Sequence, residues 1–142
     1  MGLKIYTGGT FDLFHSGHVN FLKRCQQLAG FDGQVVVALN TDEFIFQYKK
    51  KKPILSYQQR KEVLESCRYV DEVVANIGCT DSKVTIETVG KVDVIAIGSD
   101  WARKNYYSQM QFDQEWLDLN NISLIYIPYT KGISSSFIKG LL

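Results

Sequence analysis

Three runs in this chain are almost unbroken branched aliphatic sequence: VVVAL at 35–39, VIAI at 94–97 and LIYI at 124–127. A strand with one wet face alternates apolar and polar side chains, so runs that are apolar throughout predict strands covered on both faces. Taken with two weaker stretches, the predicted strands are Leu3–Tyr6, Gln34–Asn40, Val70–Ala75, Val92–Gly98 and Ser123–Pro128. Helical spacing fills the gaps, with apolar residues at Val19, Leu22, Cys25 and Leu28 of Gly17–Leu28 and at Val63, Leu64 and Cys67 of Gln58–Cys67. Ser56 precedes the second helix as an N-cap, and Thr80 or Asp81 caps a third that runs to about Val89. Strands alternating with helices, joined by right-handed crossovers, make a doubly wound five-stranded parallel sheet with helices on both faces.

The expected fold is therefore α/β and Rossmann-like. At 142 residues and 45% apolar composition the chain fills one core, and a single domain over 1–142 is expected. Lys plus Arg number 16 against 15 Asp plus Glu, a net charge of +1, so no overall field draws the chain to nucleic acid or a lipid surface. The longest apolar run, Val35 to Leu39, is far short of the ~18–20 residues a membrane helix needs. No basic-then-apolar start marks a signal peptide, and a cytoplasmic protein is expected. Cys25, Cys67 and Cys79 are odd in number and widely spaced, which indicates reduced packing residues and neither a disulfide framework nor a zinc site.

Open α/β sheets bind ligands beyond the carboxyl ends of their strands, where the strand order reverses. The first strand here runs into Thr7, Gly8, Gly9 and Thr10, and then through GTFDLFHSGH into a helix. Paired glycines admit backbone approach to a bound group, and a helix N-terminus offers free amides and a positive dipole end, a setting suited to phosphate. The only two histidines, His15 and His18, stand three apart on the first turn and share a side. A metal pair is the alternative, but metal-binding helices often use i, i+4 spacing and no cysteine or carboxylate completes a ligand set nearby. Asp12 reads either as a turn residue bonding local amides or as part of the site, and the turn is favoured.

These residues carry a resemblance. GTFDLFHSGH resembles the signature of the HxGH nucleotidyltransferase superfamily, and the chain is similar to its small cytidylyltransferases. Thr41–Phe44 (TDEF), Tyr57 through Gln59 to Arg60, Arg68–Val73 (RYVDEV), Gly98–Trp101 (GSDW) and Thr130–Ser136 (TKGISSS) follow in that family's order. The resemblance implies transfer of a nucleotidyl group from CTP to a small phosphorylated alcohol, with glycerol 3-phosphate the leading acceptor, CDP-glycerol the product, and magnesium carried with the triphosphate. Other acceptors, among them phosphocholine and phosphoethanolamine, or ATP with an FMN-like acceptor, stay open, as does a non-catalytic nucleotide-binding module. Retention of both imidazoles argues against the module.

By the same resemblance, Gly9, Thr10 and Phe11 cradle the nucleotide while His15 and His18 donate to phosphate oxygens, in a protonation state the sequence leaves undecided. Two lysines of the run Lys49–Lys52 reach the phosphates. Counting back from Pro53 selects Lys49, toward the acceptor phosphate, and Lys51, toward the nucleotide phosphates; counting forward from Thr41 selects Lys50. Lys83 resembles an acceptor-side lysine. Arg60 and Arg68, eight apart, are expected on roughly one side facing phosphate, with an ion pair to Asp71 or Glu72 the alternative for Arg68. Asp100 accepts from ribose or cytosine, or else caps a helix, with Trp101 beside it. Thr130, Gly132, Ile133, Ser134 and Ser135, with Ser136, form a second phosphate cradle. Relatives carry an arginine where this chain has Tyr129, and Lys131 or Arg103 is the candidate substitute. The segment from Ala102 to Leu119 is expected to wall the acceptor pocket or extend a subunit interface through Tyr106, Tyr107, Phe112 and Trp116, and a homodimer is implied.

Overall fold

The structure, a computed structural model, describes residues 2–77, 82–99, 110, 112–128 and 130–142. Five strands, β1 (Lys4–Gly9), β2 (Gln34–Asn40), β3 (Glu72–Asn76), β4 (Val94–Gly98) and β5 (Ser123–Ile127), form one all-parallel sheet in the order β3-β2-β1-β4-β5. Among the described residues six helices accompany them: α1 (Ser16–Ala29), α2 (Asp42–Lys49), α3 (Tyr57–Glu65), α4 (Ser82–Thr88), α5 (Gln114–Leu119) and α6 (Ser135–Leu141). The doubly wound α/β expectation is met, and the alternate residues of the buried strands feed two separate cores. Tyr6, Val36, Ala38, Ile95 and Ile97 pack on one face with Ile86, Leu117 and Ile122. Ile5, Val35, Val37, Leu39 and Ala96 pack on the other with Leu22, Cys25 and Leu64. Among the described residues no helix is long and apolar enough to cross a membrane.

Several boundaries moved for physical reasons. The first strand does not stop at Tyr6: Thr7, Gly8 and Gly9 pair with Val37, Ala38 and Leu39. On the other side β1 pairs with β4 only at Ile5–Val94 and Tyr6–Ile95. Beyond Tyr6 the two strands therefore part, and the crevice opens where the chain order reverses. The segment after β2, to which no element is assigned from sequence, contains α2, capped by Thr41, whose side chain accepts from Phe44 N–H at 3.2 Å, with Asp42 and Glu43 at its positive end.

Of the cysteines, Cys25 is buried in the second core, which pushes its thiol up to about 12, and Cys67 is half-buried; both are free. Cys79, Thr80 and Asp81 lie outside the described residues. Asp93 and Asp71 hold the amino ends of β1 and β2, accepting from Lys4 N–H at 2.9 Å and Val35 N–H at 2.7 Å. Asp71 is thus bonded to backbone and not committed to Arg68.

Candidate active site

A cleft of about 670 Å³ opens over the carboxyl ends of β1 to β4. Its floor is Thr7, Gly8, Gly9, Asn40, Asn76, Ile97 and Gly98; its walls include Thr10, Phe11, Asp12, His15, Gly17 and His18, the α2 flank with Tyr48, Lys49, Lys51 and Lys52, and the segment after β5 with Thr130, Ile133, Ser134, Ser135, Ser136 and Lys139.

His15 is the N-cap of α1. Its Nδ1 accepts from Gly17 N–H at 3.0 Å, while His18 Nδ1 accepts from His15 N–H at 3.2 Å, a reciprocal capping box built from two imidazoles. An Nδ1 that accepts a hydrogen bond carries no proton, so in each neutral ring Nε2 holds it, on the side turned from the helix backbone. The rings stack at 3.8 Å between centroids, and His18 also packs against Phe11 and Phe14 at 5.1 and 5.3 Å. Burial first, then the neighbouring His15, with Asp12 opposing, pushes His18 down to about 3; burial lowers His15 as well. In the ligand-free chain burial thus favours the neutral form of both rings, with Nε2–H as the donor.

This carries a pH consequence. An unfolded histidine protonates near 6.5 whereas folded His18 does so at about 3, so within that window the unfolded chain binds the extra proton. Stability is full above pH ~6.5 and falls as pH drops below it. Thermal melts from about pH 7 to about pH 5 are expected to show a falling midpoint, with a shallower fall in His18→Gln, which lacks the titrating ring.

Gly17 sits between the histidines because nothing larger fits. A Cβ there would meet His15 Cε1 at 2.8 Å, Nδ1 at 2.9 Å and Ile133 Cγ2 at 3.3 Å. Alanine favours a helix interior by ~1 kcal/mol over glycine, but a displaced His15 ring also gives up its cap on Gly17 N–H, a loss of about 0.5–2 kcal/mol, so Gly17→Ala should leave the melting midpoint unchanged or lower it. The displaced ring should also cost at least about tenfold in turnover. Parallel melts and rate assays check the pair of effects. At Gly9 a Cβ would meet the Phe11 ring at 2.7 Å, so this glycine serves the turn's own packing, while the room at Gly8 is less restricted, with Asn76 Nδ2 at 3.4 Å.

Asp12 departs from the local turn expected for it. It is 3% exposed, and its two carboxylate oxygens accept from Ile54 and Leu55 N–H at 2.7 and 2.9 Å, on the loop beyond the lysine run. Its carbonyl accepts from Ser135 Oγ at 2.5 Å, and Lys139 Nζ lies 3.5 Å from Oδ2. Burial alone would raise this carboxyl; the two amides and Lys139 outweigh it and hold the group below its ordinary value. Phe11 and Leu13, on either side, have φ of 51°, a left-handed conformation that non-glycine residues keep only when the surroundings impose it.

Arg60 also has a different position from the one expected. It is 1% exposed and outside the cleft lining, donating from Nε to Leu55 O at 3.0 Å and from one terminal nitrogen to Thr10 O at 2.9 Å and Asn40 O at 2.8 Å. The other terminal nitrogen pairs with Asp42 Oδ1 at 2.6 Å. The guanidinium ties the end of β1, β2, α2 and the loop into α3 together, and four of its five N–H donors are spent on these partners. Arg68 lies beyond α3, exposed and outside the lining; half-buried Lys83 on α4 is outside it too. The expected shared side for Arg60 and Arg68 is not formed.

Of the lysine run, Lys49, Lys51 and Lys52 line the cleft, whereas Lys50 is the left-handed C-cap of α2 at φ 57° and does not. The register counted back from Pro53 is the one that reaches the cleft. After β5, Gly132 makes the turn at φ 85° without lining the cleft. Ser134 Oγ accepts from Phe137 N–H at 3.0 Å to cap α6, and Thr130 Oγ1 accepts from Asn20 Nδ2 at 3.2 Å. Asp100, Trp101, Arg103, Tyr106, Tyr107 and Tyr129 lie outside the described residues. Phe112 and Trp116 stack at 5.3 Å against the first core and wall no part of the cleft. Residues not anticipated are Asn40, Asn76, Tyr48, Lys52 and Lys139. Asn40 and Asn76 had a signal, each being the polar residue that closes an apolar strand.

A parallel sheet with a polar, lysine-flanked cleft at its switch point, entered by a helix N-terminus bearing two imidazoles, has the chemistry suited to a phosphate-bearing ligand. The family model described as Cytidylyltransferase-like matches residues 6–141, and the chain belongs to that family of nucleotidyltransferases. It is 40% identical over 136 residues to glycerol-3-phosphate cytidylyltransferase of Bacillus subtilis (strain 168), covering 96% of this chain and 94% of that one. It is 36% identical over 141 residues to FAD synthase of Korarchaeum cryptofilum (strain OPF8), covering 97% and 90%. The crystal structure of the lipopolysaccharide core biosynthesis protein from Thermoplasma volcanium GSS1 shares the fold, with a TM-score of 0.64 at 21% identity over 94% of this chain and 100% of that one. Family membership implies a nucleoside triphosphate and a phosphorylated acceptor as small-molecule substrates.

Proposed function

We propose that the chain joins CTP to glycerol 3-phosphate. The observation that carries this reading is the pair of Nδ1-anchored imidazoles, whose remaining N–H groups belong to the same cleft as Lys49, Lys51 and Lys52. An oxygen of the acceptor phosphate attacks the α-phosphorus of CTP, the bond to the bridging oxygen of the β-phosphate breaks, and pyrophosphate leaves, giving CDP-glycerol. No protein nucleophile enters. The chain contributes orientation and charge stabilisation.

In this reading Gly9, Thr10 and Phe11 flank the nucleotide, His15 and His18 donate to the α-phosphate as charge builds, and Lys51 faces the reacting phosphates. Lys49 faces the acceptor phosphate, Thr130, Ser134 and Ser135 face the triphosphate, and Asp100 reads the nucleoside. Among the described residues no group of three His, Cys, Asp or Glu side chains is placed to hold a metal ion, and Asp12 is committed to amides. Magnesium belongs in the proposal as part of the substrate, bound to the triphosphate.

The FAD synthase relative favours a second reading, ATP with an FMN-like acceptor. Pyrophosphate release measured with magnesium, each of the four nucleoside triphosphates and a panel of acceptors separates them. CTP with glycerol 3-phosphate is the expected active pair; ATP with FMN as the active pair selects the second reading. Tight nucleotide binding with no release from any pair makes the chain a binding module.

A further inference from the structure

We infer that Tyr48, with Thr10 and Asn40, reads the hydroxyl groups of the acceptor and so makes the cleft selective for a phosphorylated polyol over a phosphorylated amino alcohol. The inference rests on the phospho-alcohol reading above and names residues it did not use for the acceptor. At the carboxyl ends of β2 and β3, Asn76 Nδ2 donates to Asn40 Oδ1 at 2.9 Å. That bond fixes which way the Asn40 amide points. Its own Nδ2 then donates to Thr10 Oγ1 at 3.1 Å and Tyr48 OH at 3.4 Å.

The two hydroxyl oxygens are 3.1 Å apart. Each has one proton, so when one donates to the other, the second proton stays available, and unused lone pairs remain beside it. Tyr48 is 37% exposed and lines the cleft together with Thr10 and Asn40. The wall therefore offers a donor and an acceptor side by side, which a ligand hydroxyl answers with both its proton and its oxygen. A primary ammonium only donates, and a quaternary ammonium does neither.

The aromatic ring does not offer the alternative of a cation site. Lys49 Nζ lies 5.7 Å from its centroid and Phe44 packs against it at 5.1 Å, so a cationic head group meets a like charge there. The wall stands across the switch point from the segment that the proposed function gives to the triphosphate. Tyr48 follows β2, on one flank of the switch point, while the serine-rich segment follows β5 on the other.

The test compares kcat/KM with CTP for glycerol 3-phosphate, propyl phosphate and phosphoethanolamine, in the native chain and in Tyr48→Phe, which keeps the ring. The native chain is expected to prefer glycerol 3-phosphate over both by at least about tenfold. Tyr48→Phe should narrow that preference by about three- to tenfold, with the KM for CTP unchanged within about twofold. A preference equally large in the variant overturns the inference and leaves the proposed function standing. Absence of turnover with every phospho-alcohol in the native chain overturns both.

Discussion

Replacing His18 by alanine is expected to reduce turnover by about 10²–10³-fold, the usual cost of one preorganised donor to a developing oxyanion. CTP affinity should stay within about tenfold, because the donor's contribution is made mainly in the transition state. The structure supports that division. His18 is positioned before any ligand arrives, its Nδ1 held by His15 N–H at 3.2 Å and its ring packed on Phe11, Phe14 and His15. With the ring buried enough to lower its pKa to about 3, the donor is a neutral Nε2–H and needs no reorganisation during reaction. Steady-state kinetics beside calorimetric CTP binding measures the split. Equal losses in affinity and rate would contradict it by making His18 a ground-state binding residue.

The second large effect is on stability. Arg60→Lys retains the positive charge but loses the planar fork that serves Leu55 O, Thr10 O, Asn40 O and Asp42 together. Leaving buried carbonyls without donors is expected to cost about 2–4 kcal/mol. At this chain length each kcal/mol lowers the melting midpoint by roughly 2–4 °C. At a temperature where the variant is still folded, KM for both substrates should change little, since Arg60 is outside the cleft lining. An unchanged midpoint with a raised acceptor KM would return Arg60 to phosphate binding. Thermal denaturation and acceptor titration of the one variant decide between these.

The contrast at Arg60 shows where sequence reading reaches its limit. A guanidinium spaced for phosphate is equally suited to backbone carbonyls, and only the close approach of Thr10, Asn40 and Leu55, far apart in the chain, selects the second use. Asp12 is similar, since its partners Ile54 and Leu55 are more than forty residues away and invisible to local turn rules. The strands were legible because burial on both faces leaves unbroken aliphatic runs such as Val35–Leu39. The histidine pair was legible because a capped helix start is a local event. By contrast, α2 was hidden by its ending: Lys50 takes the left-handed C-cap that glycine usually supplies, so no glycine marks where the helix stops. Gly8 and Gly9 fall beyond the predicted first strand, yet parallel pairing with Ala38 and Leu39 keeps them in β1.

A crystal structure of the chain with CTP tests the central claim most directly. The account predicts the α-phosphate lying over the first turn of α1, with Nε2 of both His15 and His18 within hydrogen-bond reach, ~3 Å, of its oxygens. A triphosphate bound away from that turn, with both Nε2 atoms facing protein or solvent alone, would contradict it.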